Sequence, residues 1–258
     1  MDLTSLRAFI LDLDGCVYTG ETLVPGVREF IQEVREKGRR LLFLTNNSRE
    51  AGEELQAKLW RLGVAATREE ILSAVEVVGP FIRERFGPSR VLAVGSETLR
   101  RLLVEAGHSL LPLDAYHDAQ VVVVGHDSDF DYRRLTVLAR AVASGAAFLA
   151  VNNDPRLPVE GGDFFPGCGS LVEAVATAAG VRPEVVGKPR PHIFRAALAR
   201  LGVSPEEAVM IGDSLTSDVR GAQTVGLRTI WLAAPGAVVS ERQPDLIIHA
   251  FDELRGRH

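Results

Sequence analysis

Cysteine is scarce in this chain: Cys16 and Cys168 are the only two in 258 residues. Two thiols without metal-ligand spacing make no disulfide framework and no zinc cluster, so reduced thiols are expected. An excess of positive charge is also missing, the formal net charge being −5, which argues against nucleic acid as a partner held by bulk charge. Long apolar runs are absent. The longest, such as Val121–Val124 and Ala146–Val151, fall far short of the ~18 residues of a membrane span, so no membrane partner is expected. Met1-Asp2-Leu3-Thr4 leads straight into an apolar segment, without the basic stretch and cleavage site of a secretory signal, and a cytoplasmic location is the resulting expectation. No internal repeat or low-complexity segment stands out. What remains, 46% apolar and 24% charged residues, is the composition of an ordinary folded protein, long enough for two units or one large α/β domain.

The apolar segments alternate in kind. Ala8–Leu13 is a nearly unbroken apolar run that stops at acidic residues and Gly15, as a parallel strand buried on both faces does. After Pro25-Gly26, residues Val27, Phe30, Ile31 and Val34 recur at helical spacing until Gly38, a glycine placed to end a helix. Leu41–Leu44 reads as a second buried strand, and Leu55, Leu59 and Leu62 share one face of a following helix. The same grammar returns in the strand Val209–Gly212, a helix from about Asp218 to Val225, and strands at Arg228–Leu232 and Leu246–Ile248. Such alternation predicts an α/β fold with a doubly wound parallel sheet. The middle of the chain, roughly Gly79 to Arg182, has its own strands at Val91–Val94, Val121–Val124 and Phe148–Val151 and reads as an inserted α/β unit. The expected division is therefore a core of residues 1–78 and 184–258 around an insert of residues 79–183.

In open parallel sheets ligands bind beyond the carboxyl ends of the strands. Polar residues come directly after apolar runs in this way at Asp12-Leu13-Asp14-Gly15, Thr45-Asn46-Asn47, Gly187-Lys188-Pro189 and Gly212-Asp213-Ser214 continuing to Asp218. Alternation along an extended strand would send the Asp12 and Asp14 carboxylates the same way, toward one reacting group. Asp213 could complete an oxygen-rich site suited to Mg²⁺, with Asp218 supporting it from behind. A carboxylate at Asp12 can attack phosphorus while Asp14 protonates the leaving oxygen and later deprotonates water. Lys188 and the Thr45 hydroxyl could offset the charge of the transferred group. Each segment alone also has a plain reading: a turn at Asp12–Gly15, a helix cap at Thr45–Ser48, a solvated lysine at Lys188. Their joint order favours the chemical one.

At these positions the sequence resembles the haloacid dehalogenase-like superfamily of phosphohydrolases. Leu11 to Tyr18 looks like its first motif, Leu44-Thr45-Asn46-Asn47-Ser48 its second, Gly187-Lys188-Pro189 its third, and Ile211-Gly212-Asp213-Ser214 through Asp218 its fourth. The Thr-Asn-Asn-Ser form and the long insertion resemble the NagD-like and para-nitrophenyl phosphatase branch, as do Val124–Tyr132 and the stretch from Asn152 to Ser170, although Asn153 stands where many relatives carry proline. The resemblance implies a Rossmann-like core with an α/β cap and a Mg²⁺-dependent phosphatase. Asp12 would be nucleophile and metal ligand, Asp14 acid/base with its carbonyl on the metal, and Asp213 a metal ligand. Thr45, Asn46 and Lys188 would hold the phosphate, and Asp218 would act near the metal or orient Lys188. A cap that excludes water and recognises the leaving group implies a small phosphorylated metabolite of the sugar phosphate, nucleoside monophosphate, phosphoglycolate or pyridoxal phosphate class. Asn152, Asp154 and Arg156 are the candidates for specificity, and the cap is a candidate surface for a homo-oligomer. A phosphomutase using the same phospho-aspartate, and a non-catalytic module that binds a phosphorylated ligand, are the alternatives.

Overall fold

A computed structural model describes residues 2–158, 163–238 and 243–256. The first strand, Ala8–Asp12, is buried at every position, and parallel neighbours lie on both sides, with Ala8 opposite Ala208 on one and Arg40 on the other. It is thus a central strand of a six-stranded sheet, ordered Leu246–Ile248, Arg228–Leu232, Ala208–Gly212, Ala8–Asp12, Arg40–Thr45, Ile71–Ser73. The helix Val27–Glu36 buries Val27, Phe30, Ile31 and Val34, the stripe that the sequence spacing marks. Phe30 meets Phe9 edge-on with ring centroids 5.7 Å apart and Phe251 at 5.2 Å. Complete burial of such a ring contributes about 1.5–3 kcal/mol.

The chain divides into two compact units, one of Met1–Thr45, Gly52–Leu72 and Lys188–His258, the other of Asn46–Ala51 and Ser73–Gly187. The insert therefore begins before the expected residue 79 and also takes in Asn46–Ala51. Gly79, the expected start of the insert, lies with Pro80 inside the helix Ala74–Phe86. Gly79 is there because a neighbouring helix, Glu97–Glu105, comes close: a Cβ at Gly79 would stand 2.8 Å from the Ala106 Cβ and 3.2 Å from the Leu102 carbonyl. His108 Nε2 and the Gly79 carbonyl oxygen lie 2.9 Å apart.

The insert has its own five-stranded parallel sheet, ordered Glu184–Val185, Ala147–Ala150, Val121–Val124, Arg90–Val94, Ser109–Leu110. A small antiparallel hairpin, Arg156–Pro158 with Phe164–Pro166, comes after its fourth strand. Two expectations change. The strand expected over Ala8–Leu13 ends at Asp12, and Leu13–Tyr18 is a turn in which Val17 N–H and Tyr18 N–H both donate to the Leu13 carbonyl. The helix expected over Asp218–Val225 is a π-helical turn, Leu215–Val219, succeeded by the short helix Arg220–Gln223.

Candidate active site

Parallel register places Asp12, Thr45 and Asp213 at or just beyond the carboxyl ends of three adjacent strands. Lys188 enters this region from the loop before the helix Pro191–Leu201. Its ammonium donates to Asp12 Oδ1 and to Asp218 Oδ1, each at 2.6 Å, and approaches the Leu44 carbonyl at 3.4 Å. Side-chain exposure is 3% for Lys188, 9% for Asp12 and 0% for Asp218, so these ion pairs work with little solvent screening. Burial alone would push the Lys188 ammonium down; the Asp12 and Asp218 charges outweigh it and hold the group well above its ordinary value.

Asp218 is held on both oxygens, since the Ser214 N–H donates to Oδ2 at 3.0 Å. The Ser214 hydroxyl accepts from Ser217 N–H at 3.1 Å, which starts the π turn that carries Asp218 inward. Asp218 is thus fixed in place while it accepts from Lys188. Glycine is required twice where the backbone meets these carboxylates: a Cβ on Gly212 would collide with the Asp218 carboxylate, and one on Gly15, at φ +90°, with that of Asp213.

Carboxylate oxygens of Asp12, Asp213 and Asp218 lie within 4.8 Å of one another. Asp14 is not part of this side-chain group; the strand has ended, and the exposed Asp14 sits in the turn, bridged to Tyr18. Three carboxylates face one ammonium, and the imbalance registers in proton affinity. Burial and the Asp218 charge raise the Asp12 carboxyl well above its ordinary value despite Lys188. Asp213, more exposed, is also raised, by partial desolvation and then by Asp218. A hard divalent cation would relieve that repulsion, and an all-oxygen donor set fits Mg²⁺. Among the described residues, no other group of three or more metal-binding side chains is this close.

Trp231 was not legible as part of the site. Its indole N–H donates to the Asp213 carbonyl at 2.8 Å, and the parallel register of Gly212 with Trp231 brings it there. A tryptophan ending an apolar strand opposite the fourth motif was the only available signal.

Asn152 and Asp154 of the insert share a hydrogen-bond network with Asn46. Asn46 Nδ2 donates to Asp154 Oδ2 at 3.1 Å, and Asn152 Nδ2 donates to the Asn46 carbonyl at 2.6 Å. The Asp154 N–H closes the group on Asn152 Oδ1 at 3.1 Å. Gly187 lies against it, where a Cβ would stand 2.7 Å from both Asn46 Oδ1 and the Val151 carbonyl. Asn152 is buried at 4% exposure and acts as an internal clamp. Arg156 is exposed and lies over the Phe164 ring, 4.2 Å from its centroid. Both thiols are buried and unpaired; burial pushes Cys168 up to about 12 and Cys16 well above its ordinary value, which keeps both protonated.

A parallel α/β core with paired carboxylates and a buried lysine beyond its strands defines a phosphate-processing hydrolase. Comparison with known proteins narrows this. A model described as haloacid dehalogenase-like hydrolase matches residues 9–109, and a HAD-hydrolase-like model matches residues 185–254. An acid sugar phosphatase of Staphylococcus aureus (strain MRSA252) is 33% identical over 224 residues, covering 87% of this chain and 85% of the relative. Among solved structures, a thermostable NPPase double mutant from Geobacillus stearothermophilus superposes with a TM-score of 0.89 at 30% identity over 98% of each chain. A 4-nitrophenylphosphatase from Thermotoga maritima gives 0.88 at 28% identity, covering 98% of this chain and 97% of the other. The chain belongs to the haloacid dehalogenase-like hydrolases and is a phosphatase of that family. No helix among the described residues is long and apolar enough to cross a membrane.

Proposed function

We propose that this phosphatase is Mg²⁺-dependent and hydrolyses small phosphomonoesters through a phospho-aspartate at Asp12. The observation that carries the reading is the buried Lys188 ammonium 2.6 Å from both Asp12 and Asp218, beside a third carboxylate at Asp213. Asp12, Asp213 and the Asp14 carbonyl would hold the metal, which supplies positive charge against the phosphate oxygens. In the first half-reaction an Asp12 carboxylate oxygen bonds to phosphorus as the ester P–O bond breaks, and Asp14 gives its proton to the departing alkoxide. In the second, Asp14 takes a proton from the water that attacks phosphorus, and inorganic phosphate leaves as the Asp12 carboxylate reforms. An exposed turn suits Asp14 to this exchange, because it must trade protons with leaving group and water. Lys188 offsets part of the desolvation and Asp218 repulsion that raise the proton affinity of Asp12 and, with Thr45 and Asn46, holds the transferred group.

Sugar phosphates head the substrate classes, on the name of the Staphylococcus aureus relative; nucleoside monophosphates, phosphoglycolate and pyridoxal phosphate share the required chemistry. Two free buried thiols suit a cytoplasmic enzyme. The test is phosphate release from para-nitrophenyl phosphate and a panel of these esters with Mg²⁺ present. Asp12→Asn should abolish release while circular dichroism stays unchanged; full activity in that variant would remove Asp12 as the nucleophile.

A further inference from the structure

In chain order the insert's strands are Arg90–Val94, Ser109–Leu110, Val121–Val124, Ala147–Ala150 and Glu184–Val185, and in the sheet they stand second, first, third, fourth, fifth. The connection leaving the first strand runs to one side, and the next returns across it to the other. Right-handed crossovers in opposite directions put their connecting segments on opposite faces, which opens a crevice beyond the carboxyl ends of the first and third strands. Open sheets of this order hold mononucleotides at that switch point.

A cavity of about 720 Å³ occurs there, lined by Val94 and Ser96 after the first strand and by His126 and Asp127 after the third. Its size lies within the range of small-ligand sites, about 300–1,000 Å³. Its wall is divided by chemistry. Leu111 and Leu113 line it with apolar surface, while Arg49, Arg100 and Arg134 bring guanidinium groups. Arg134 is engaged, 3.5 Å from Asp127 and donating to the Asp129 carbonyl. Among the described residues Arg100 is held only by Glu97 at 3.8 Å, a carboxylate whose side chain is 90% exposed, and by a 3.5 Å approach to the Ala93 carbonyl. The Arg49 guanidinium has no hydrogen bond or ion pair among the described residues. Its backbone, however, is pinned: the carbonyl accepts from the Ser96 hydroxyl at 2.8 Å and the N–H donates to Asn47 Oδ1 at 2.9 Å. Two weakly committed guanidiniums in one cavity with apolar side chains match a phosphate joined to a flat, apolar body.

We propose that the insert carries a second site, one that binds a nucleoside monophosphate in this crevice without hydrolysing it. Arg49 and Arg100 hold the phosphate and the Leu111–Leu113 side receives the base. Among the described residues no lysine lines the cavity, so its carboxylates, Glu97, Asp127 and Asp129, have no partner like Lys188 and the pairing of Asp12 with Lys188 has no counterpart there. His126 is a local reporter: burial, and then the Arg49 charge, hold its imidazole below the ordinary value, so a phosphate that neutralises Arg49 raises it.

The test titrates AMP calorimetrically into the full chain with metal chelated, alongside adenosine and the double variant Arg49→Ala/Arg100→Ala, with the His126 imidazole monitored by NMR. Saturable AMP binding tighter than about 1 mM is expected, weakened about tenfold or more in the double variant, with an upward shift of the His126 titration and no binding of adenosine. Circular dichroism of the double variant checks its fold, and Arg100→Ala alone should show an intermediate loss. AMP binding equal in all variants, which would locate it elsewhere, or no saturable binding, would overturn the proposal. Neither outcome bears on the Asp12 reading, which stands on phosphate release.

Discussion

Replacing Lys188 by methionine removes the cation that faces three neighbouring carboxylates while keeping the length of the side chain. Both ion pairs of Lys188 are 2.6 Å long and almost fully enclosed, with 9% exposure at Asp12 and 0% at Asp218. Removing one partner of a buried pair costs about 3–5 kcal/mol, and two carboxylates left behind put this variant at the upper end. The loss must depend on pH. Without Lys188 the Asp12 carboxyl, already raised by burial and by Asp218, rises further. The folded state then binds more protons than the unfolded chain, and stability falls as pH climbs from the unfolded value of about 3.9 toward the raised folded one. In the unsubstituted chain the Lys188 contribution fades in the same direction but in a window far higher in pH: its folded value is raised, so the stabilisation is complete below about 10.4 and fades only above it. Urea unfolding with metal chelated, at pH 5 and pH 8, would therefore measure the Asp12 effect against a parent whose lysine stays charged. Lys188→Met should be markedly less stable at the higher pH and recover part of the loss at the lower. A loss that is the same at both pH values, or no loss at all, would refute this account of the site's charge balance.

The strands were legible because they are continuous apolar runs closed by turn residues: Val121–Val124, Arg228–Leu232 and Leu246–Ile248 fall where the sequence places them. The pattern of polar residues after strands led to Asp12 and Asp213 for the same reason, since an extended chain has to deliver the residues at its C-terminal end to the sheet's carboxyl edge; Lys188 follows a strand of the insert's sheet instead and comes from the loop before the helix Pro191–Leu201. The hidden features depend on neighbours distant in sequence. Gly79, where the sequence places the start of the insert, is set by the close approach of Leu102 and Ala106 and lies within a helix. The strand expected to run through Leu13 ends at Asp12, because the turn bonded through the Leu13 carbonyl closes it. Trp231 reaches Asp213 only through strand register. An asparagine that caps a turn and one that clamps a distant loop look alike in sequence; the Asn46 carbonyl decides the case of Asn152.

Chelation should stop turnover and Mg²⁺ restore it, whereas Ca²⁺, with looser and larger coordination, should fail to; steady-state phosphate release decides, and rates indifferent to chelator would rule out a metal role. Gly15→Ala should lower kcat/KM by orders of magnitude, since its φ of +90° strains any side chain and the new methyl meets the Asp213 carboxylate; a variant as active as the parent would mean that this approach is unimportant. The three candidates in the insert should separate by assay. Asn152→Ala strips partners from the Asn46 carbonyl and the Asp154 N–H in a nearly dry setting, which should lower stability by about 1–3 kcal/mol in urea unfolding. Arg156 is tied to Phe164 by no more than a cation–π contact at an exposed site, worth about 0.5–1 kcal/mol, so Arg156→Ala should leave stability almost unchanged. Its effect should appear as a changed ratio of kcat/KM between sugar phosphates and para-nitrophenyl phosphate. A stability loss at Arg156 with no change in that ratio would make it a structural residue, and recognition would then have to be sought elsewhere in the insert.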